Sequence, residues 1–306
     1  MTGRGGSEMA EVFRALGVLC EPPDDGHARV AQALGLPAVP GPSEYTDVFV
    51  FHLYPYASVY LGAEGLLGGE ARDRVAGFWR ALRLAPPAEP DHLAALLGLY
   101  ATLLDREADA PAPARRLLWH QARAALLHEH LLSWLPPYLD RIDALAPPAY
   151  RAWAGLLRSA LCREAEAVGP SGGLCAHLRA APPLPDPRRE GSHAFVTGLL
   201  AAVRSGMILT RADLARAARD LTLGLRMGER RFALAALMSQ APGAVLGWLA
   251  GEARASAARH AAHARVAGPA AAFWTERAAQ AARLLQELRD SAADEAPDGR
   301  AVVVPS

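Results

Sequence analysis

Apolar residues along this chain recur at intervals of three and four and almost never alternate. Val75, Phe78, Trp79 and Leu82 fall at i, i+3, i+4 and i+7, the stripe of an amphipathic helix. Leu93, Leu96, Leu97, Tyr100, Leu103 and Leu104 repeat the pattern, and Trp119, Ala122, Leu126, His130 and Trp134 repeat it again. Between the stripes stand Pro86-Pro87, Pro111 and Pro113, Pro136-Pro137 and Pro147-Pro148, where a helix must end or begin. The spacing predicts helices over 68–84, 90–104 and 114–135, joined by connections short enough for antiparallel neighbours. The fold class expected is all-α, a helical bundle, with no sheet of more than two strands.

A longer break runs from Gly169 to Gly191, with Ser171-Gly172-Gly173 and a proline-rich stretch from Pro182 to Pro187. This divides the chain into a helical unit over 1–168, a Pro/Gly-rich linker or loop over 169–191 and a helical C-terminal part over 192–290. The stretch 291–306 is expected to be a disordered tail. Beyond the break, Thr210 followed by Asp213 forms a capping-box pattern at a helix start. Leu214, Leu221, Phe232, Leu237, Leu246 and Trp248 are spaced to share one apolar face, so this part is expected to pack rather than trail.

Composition narrows the functional classes. Just over half of the 306 residues are hydrophobic, enough for one core and possibly two. The 32 basic residues, all arginine, cancel 32 acidic ones, so no basic surface for nucleic acid is implied. Cys20, Cys162 and Cys175 are odd in number and lack CxxC spacing, which argues against a disulfide framework or a zinc site. The first nine residues lack the apolar core of an export signal, and no apolar run approaches the ~18 residues of a spanning helix. A soluble, reducing, cytoplasmic setting without membrane insertion is expected.

Candidate chemistry concentrates in Glu89-Pro90-Asp91-His92, just after the aromatic helix through Trp79. Proline presets φ for a first helical turn, and acidic residues suit the positive end of the helix dipole, so the segment reads as a helix entrance. Taken together, however, these four residues resemble the Glu-Pro-x-Asp-His-type signature of the TorD-like chaperones, without the spacer residue of many members. His130-Leu131-Leu132-Ser133-Trp134-Leu135-Pro136 is similar to that family's later His-Leu-x-x-Trp helix end, and the resemblance covers roughly 9–169. It implies a TorD-like bundle that is not an enzyme and needs no cofactor. It also implies a cytoplasmic chaperone that binds the twin-arginine leader, or the apo form, of a molybdopterin oxidoreductase catalytic subunit and assists its cofactor insertion and assembly. Paired arginines in a leader want carboxylates, because guanidinium and carboxylate form directional forks. Glu89 and Asp91 offer these, with Glu64, Glu70 and Asp73 behind them. An apolar leader stretch wants aromatic walls, which Tyr60, Phe78, Trp79 and Tyr100 offer. The expected peptide-binding residues are therefore Glu89, Pro90, Asp91, His92, Trp79 and Tyr60, with His92 free to change protonation near its ordinary pKa. The chain is expected to be a monomer or homodimer.

Other signals carry less. His128 and His130 at i, i+2 point to different helix faces, so they are read as solvated or capping residues and not as a metal pair. The run Gly62 to Gly69 lacks the Gly-Lys-Ser/Thr of a phosphate loop and reads as a flexible connection. The arginine-rich helices around 210–231 provide the alternative function, a helical DNA-binding regulator. Interleaved Asp213, Asp220 and Glu229 favour a bundle hairpin instead. A helical hydrolase using Asp91 and His92 lacks a second ligand pair.

Overall fold

A computed structural model describes residues 3–294, and among these residues the chain is helical throughout. The one β-type pairing is an isolated antiparallel bridge between Tyr56 and His92. Proline starts several helices, in keeping with its preset φ and missing N–H: Pro113–Ala125, Pro148–Val168, Pro187–Leu200, Pro242–Ala261 and Pro269–Asp294. Of the expected tail, residues 291–294 extend the last helix; the rest lies outside the described residues. No helix among the described residues is long and apolar enough to cross a membrane.

The predicted helices are present with shifted ends. Gly69–Ala81 carries Val75, Phe78 and Trp79, and Leu93–Ala108 begins three residues later than expected. The stripe expected over 114–135 is not one regular helix. Pro113–Ala125 passes into a π-helical turn, Leu126–Leu131, and a new helix, Leu135–Leu145, follows. The turn rotates His130 inward, where it packs on Phe78 (5.0 Å between ring centres) and faces His177 at 6.0 Å. The expectation of a solvated or capping His130 is thereby corrected: the ring is buried. His128 is half-buried, with its Nε2 3.0 Å from the Gly169 carbonyl.

Two apolar clusters hold the chain together. The larger centres on Tyr100, Trp134, Tyr138, Tyr150 and Trp153, with Phe13 and Leu16 of the helix Gly3–Val18. Residues from beyond 200 complete it: Val203, Ala271 and Trp274. The Trp274 indole N–H donates to Ser133 O at 2.7 Å, tying the last helix into this core. The smaller cluster joins Leu199, Leu214, Leu237, Leu249 and Leu285 beneath the antiparallel pair Pro242–Ala261 and Pro269–Asp294. Gly206 lies against that last helix with φ of 71°; a Cβ there would come within 2.3 Å of Ala278 N, so only glycine fits. The Thr210–Asp213 capping box is formed, and Arg141 clamps Asp213 at 2.7 Å from the first unit. Phe232 departs from the shared apolar face and stands exposed, whereas Leu214, Leu237 and Leu246 are buried.

A buried charge network crosses the first unit. Arg123 donates to Glu107 at 2.7 Å and pairs with Glu164, which also accepts from the Tyr100 hydroxyl at 2.7 Å. Each charge in it has a partner, which is the condition under which burial of ions is tolerated.

Candidate functional site

The stretch Leu53–Tyr56 runs into a short helix, Ala57–Leu61, directly opposite the turn Glu89–His92. Backbone bonds join the two: Leu93 N–H donates to Pro55 O at 2.8 Å and Ala57 N–H to Asp91 O at 3.1 Å. The Asp91 carboxylate completes the join by accepting the Ser58 N–H at 3.1 Å. Asp91 thus satisfies an orphan donor at the start of Ala57–Leu61, not of the helix that follows it in sequence. That helix is capped by His92, whose Nδ1 accepts the Ala94 N–H at 3.2 Å. Two helix starts are stitched back to back through adjacent residues, which accounts for the late start at Leu93.

This geometry corrects the expected roles. Asp91 is only 2% exposed and its carboxylate is turned inward, so it is a structural acceptor and not an open guanidinium partner. His92 is not free to titrate near its ordinary value: burial pushes its pKa down, against the opposing pull of Glu89, Glu21 and Asp91. An Nδ1 that accepts from Ala94 places the proton of the neutral ring on Nε2. Glu89 is the carboxylate that stays at the surface, held by the Tyr56 hydroxyl at 2.7 Å. The Tyr56 ring meets His92 edge-on at 4.7 Å, and burial, then Glu89, pushes the Tyr56 hydroxyl well above its usual range. The neighbouring Tyr45 hydroxyl is pushed up as well, by burial first and then by acidic groups that include Glu21 and Glu89, so the patch is aromatic and negatively charged.

The remaining expected residues go elsewhere. Pro90 is buried within the turn. Tyr60 is a core residue: it stacks on Trp134 at 5.3 Å with planes 6° apart, and its hydroxyl donates to Tyr54 O at 2.8 Å. Trp79 is half-buried against the larger cluster, and its indole N–H has no partner among the described residues. Tyr56, Tyr45 and Glu21 were missed. The density of tyrosine in Tyr54-Pro55-Tyr56 was the one available signal for the first of them.

The glycine run beside the site is not a slack connection. Gly68 N–H donates to Ser58 Oγ at 3.1 Å, Gly65 N–H to Gly62 O at 3.0 Å, and Gly62 N–H to Ser58 O at 2.8 Å. Gly65, at φ of 64°, is pressed so close to Ala201 that a Cβ would sit 3.0 Å from its Cα. The loop is pinned, and it holds Leu66 and Leu67 outward, 66% and 57% exposed. Between this loop and the short helix Ala176–Ala180 opens a cavity of about 400 Å³, walled by Leu61, Leu66, Leu67, Ala71 and Pro182. His177 lies at its base with Nε2 buried and unpartnered among the described residues. Among those residues no group of three or more His, Cys, Asp and Glu is arranged to hold a metal ion.

Comparison with known proteins falls on this same stretch. The family model described as nitrate reductase delta subunit matches residues 42–140. A curated relative, the chaperone protein TorD of Aeromonas salmonicida (strain A449), is 34% identical over 112 residues, 36% of this chain and 51% of that relative. The chain therefore spans about half the length of the curated relative it matches. No solved structure matches it. The matched segment contains the Asp91–Ser58 join, the Glu89–Tyr56 pair and Trp134 at the start of the helix Leu135–Leu145, and through it about a third of the chain is similar to the TorD-like chaperones.

Proposed function

We propose that this chain is a cytoplasmic chaperone for a molybdopterin oxidoreductase, binding its twin-arginine leader or its apo form and assisting cofactor insertion and assembly. The likeness of this segment to TorD-like chaperones supports the coarse role, maturation of a molybdoenzyme. The observation that carries the finer reading is the Glu89 carboxylate, exposed yet oriented by the Tyr56 hydroxyl at 2.7 Å, with Tyr45 and Glu21 within electrostatic reach of the same patch. A guanidinium gains most from a carboxylate whose direction is already set and from aromatic faces beside it. The adjoining loop cavity under Leu66 and Leu67 would take the apolar part of the leader, as an apolar peptide face seats in a groove. Asp91 and His92 act through position, since they hold Tyr56 and Glu89 in register. The task is recognition rather than bond breaking, and none of these side chains is asked to transfer a proton.

The test is titration of a labelled twin-arginine leader from a molybdoenzyme into wild type, Glu89→Gln and Glu21→Gln, with a Lys-Lys leader as comparison. Loss of affinity in both variants and for the Lys-Lys leader is expected. Equal binding by all three proteins would remove the site, and no binding by wild type to any molybdoenzyme leader or precursor would remove the function.

A further inference from the structure

On the other side of the Leu66–Leu67 ridge lies a second cavity, of about 540 Å³, between the matched segment and the C-terminal helices. Phe51, Tyr54, Leu66 and Leu67 wall it on one side, and Arg211, Arg230 and Arg231 on the other. The arginines are placed against ordinary preference. Arg211 opens the helix Arg211–Asp220, and Arg230 and Arg231 open Arg230–Gln240, so three cations sit at the positive ends of two helix dipoles. The second of these helices has no side-chain cap on its first turn. By contrast Arg216, on the first of these two helices, is neutralised: it pairs with Glu252 at 2.9 Å and with Asp213 at 3.2 Å. Among the described residues, Arg211, Arg230 and Arg231 make no such pair, although Glu64 and Glu229 also line the cavity. Arg230 donates to Leu209 O at 2.7 Å and Arg231 to His193 Nε2 at 3.0 Å, both neutral acceptors. Burial moreover works against the charge on Arg230.

We propose that this cavity is a second docking site, for an acidic peptide segment carrying large apolar side chains. Unpaired cations at helix N-termini select carboxylates, and the same positive charge repels the arginines of a leader. The apolar rim decides between a peptide and a small anion. Phe51, Leu66 and Leu67 are all more than half exposed at the mouth, and free phosphate or a bare carboxylate would leave them in water. On the chaperone reading, on which the identity of the partner rests, the segment belongs to the client enzyme itself. The leader and an acidic client segment would then lie on opposite sides of one ridge.

Full-length protein is titrated with three labelled short peptides in which Leu and Phe alternate with Glu, with Gln or with Arg. The Glu peptide is expected to bind, more weakly as salt rises because exposed charge pairs are screened. Arg211→Gln and Arg231→Gln should each weaken it roughly tenfold. Arg219→Gln, on the helix that Arg211 opens but outside the cavity, should leave it unchanged. The Arg peptide is expected not to bind. Equal affinity for the Glu and Gln peptides, or no response to Arg211→Gln and Arg231→Gln, overturns the proposal. So does binding of inorganic phosphate with no binding of any peptide. The twin-arginine leader is measured on the same preparations. Leader binding lost in wild type with the arginine dependence intact sinks the chaperone reading alone, and the converse sinks only the second site.

Discussion

The Asp91 carboxylate accepts the backbone N–H of Ser58 at 3.1 Å, a buried bond between residues thirty-three apart in the chain. It makes one helix entrance depend on the sequence of another, and it separates two acidic neighbours into different jobs. Asp91 builds the corner, and Glu89 faces the solvent from it.

Replacement of Asp91 by Ala leaves the Ser58 N–H buried without an acceptor. We expect a loss of about 1–3 kcal/mol, seen as a lower urea midpoint with unchanged slope. Asp91→Asn keeps an acceptor oxygen and should lose less. Glu89→Gln, at the surface, should stay within about 0.5 kcal/mol of wild type while leader affinity falls about tenfold. If Asp91→Ala melts like wild type but no longer binds leader, the assignment of the two acids is reversed.

Stability should decline on acidification below neutrality. Burial pushes His130 down to about 3 and His177 and His260 to about 4, and lowers His92 as well. In the unfolded chain these rings titrate near ~6.5. Between the two values the unfolded state binds protons that the folded state refuses, so stability is complete above ~6.5 and is lost as pH falls toward the folded values. Urea midpoints taken from pH 7.5 to pH 4.5 should fall, and His177→Gln should flatten the slope. A midpoint independent of pH over that range would show that these rings are not held neutral.

Arg123 is the shared cation of Glu107 and Glu164. Arg123→Met strands the buried Glu164 charge beside the Tyr100 hydroxyl, and we expect about 3–5 kcal/mol of destabilisation. Arg14→Met, at a pair with both side chains more than a third exposed, should cost under about 1 kcal/mol. Comparable losses in the two variants would mean that burial does not govern the strength of these pairs.

Trypsin should cut first at Arg226. Residues 224–229 are exposed, Met227 is 88% exposed, and Thr222 has a φ of 55°. The stretch is held from one side by Gln240, which bonds both Gly224 N and Gly224 O. Residues 169–191, whose composition reads as a linker or loop, contain the short helix Ala176–Ala180 with His177 and Leu178 buried. Mass spectrometry of early fragments distinguishes the two; a first cut at Arg179 rather than Arg226 would refute the structural choice.

The sequence alone determined that this chain is helical, because a helix is a local object. Its stripe, its opening proline and its Thr210–Asp213 cap lie within one or two turns, and the structure shows each of them. It also marked Glu89 to His92 as a helix entrance and, through resemblance, as a family signature. What tertiary structure alone decided was which way each of those residues faces. An acidic residue before a helix is indistinguishable in sequence whether it caps that helix or, like Asp91, another helix thirty-three residues away. The sequence records that Tyr60 is a large aromatic residue, but not that its neighbour is Trp134, which makes it core and not site wall. The π-helical turn that carries His130 inward, the pinning of the glycine loop by Ser58, and the outward turn of Phe232 depend likewise on partners distant in sequence. Periodicity counts positions along one helix; burial and hydrogen bonding are settled only by what packs against it.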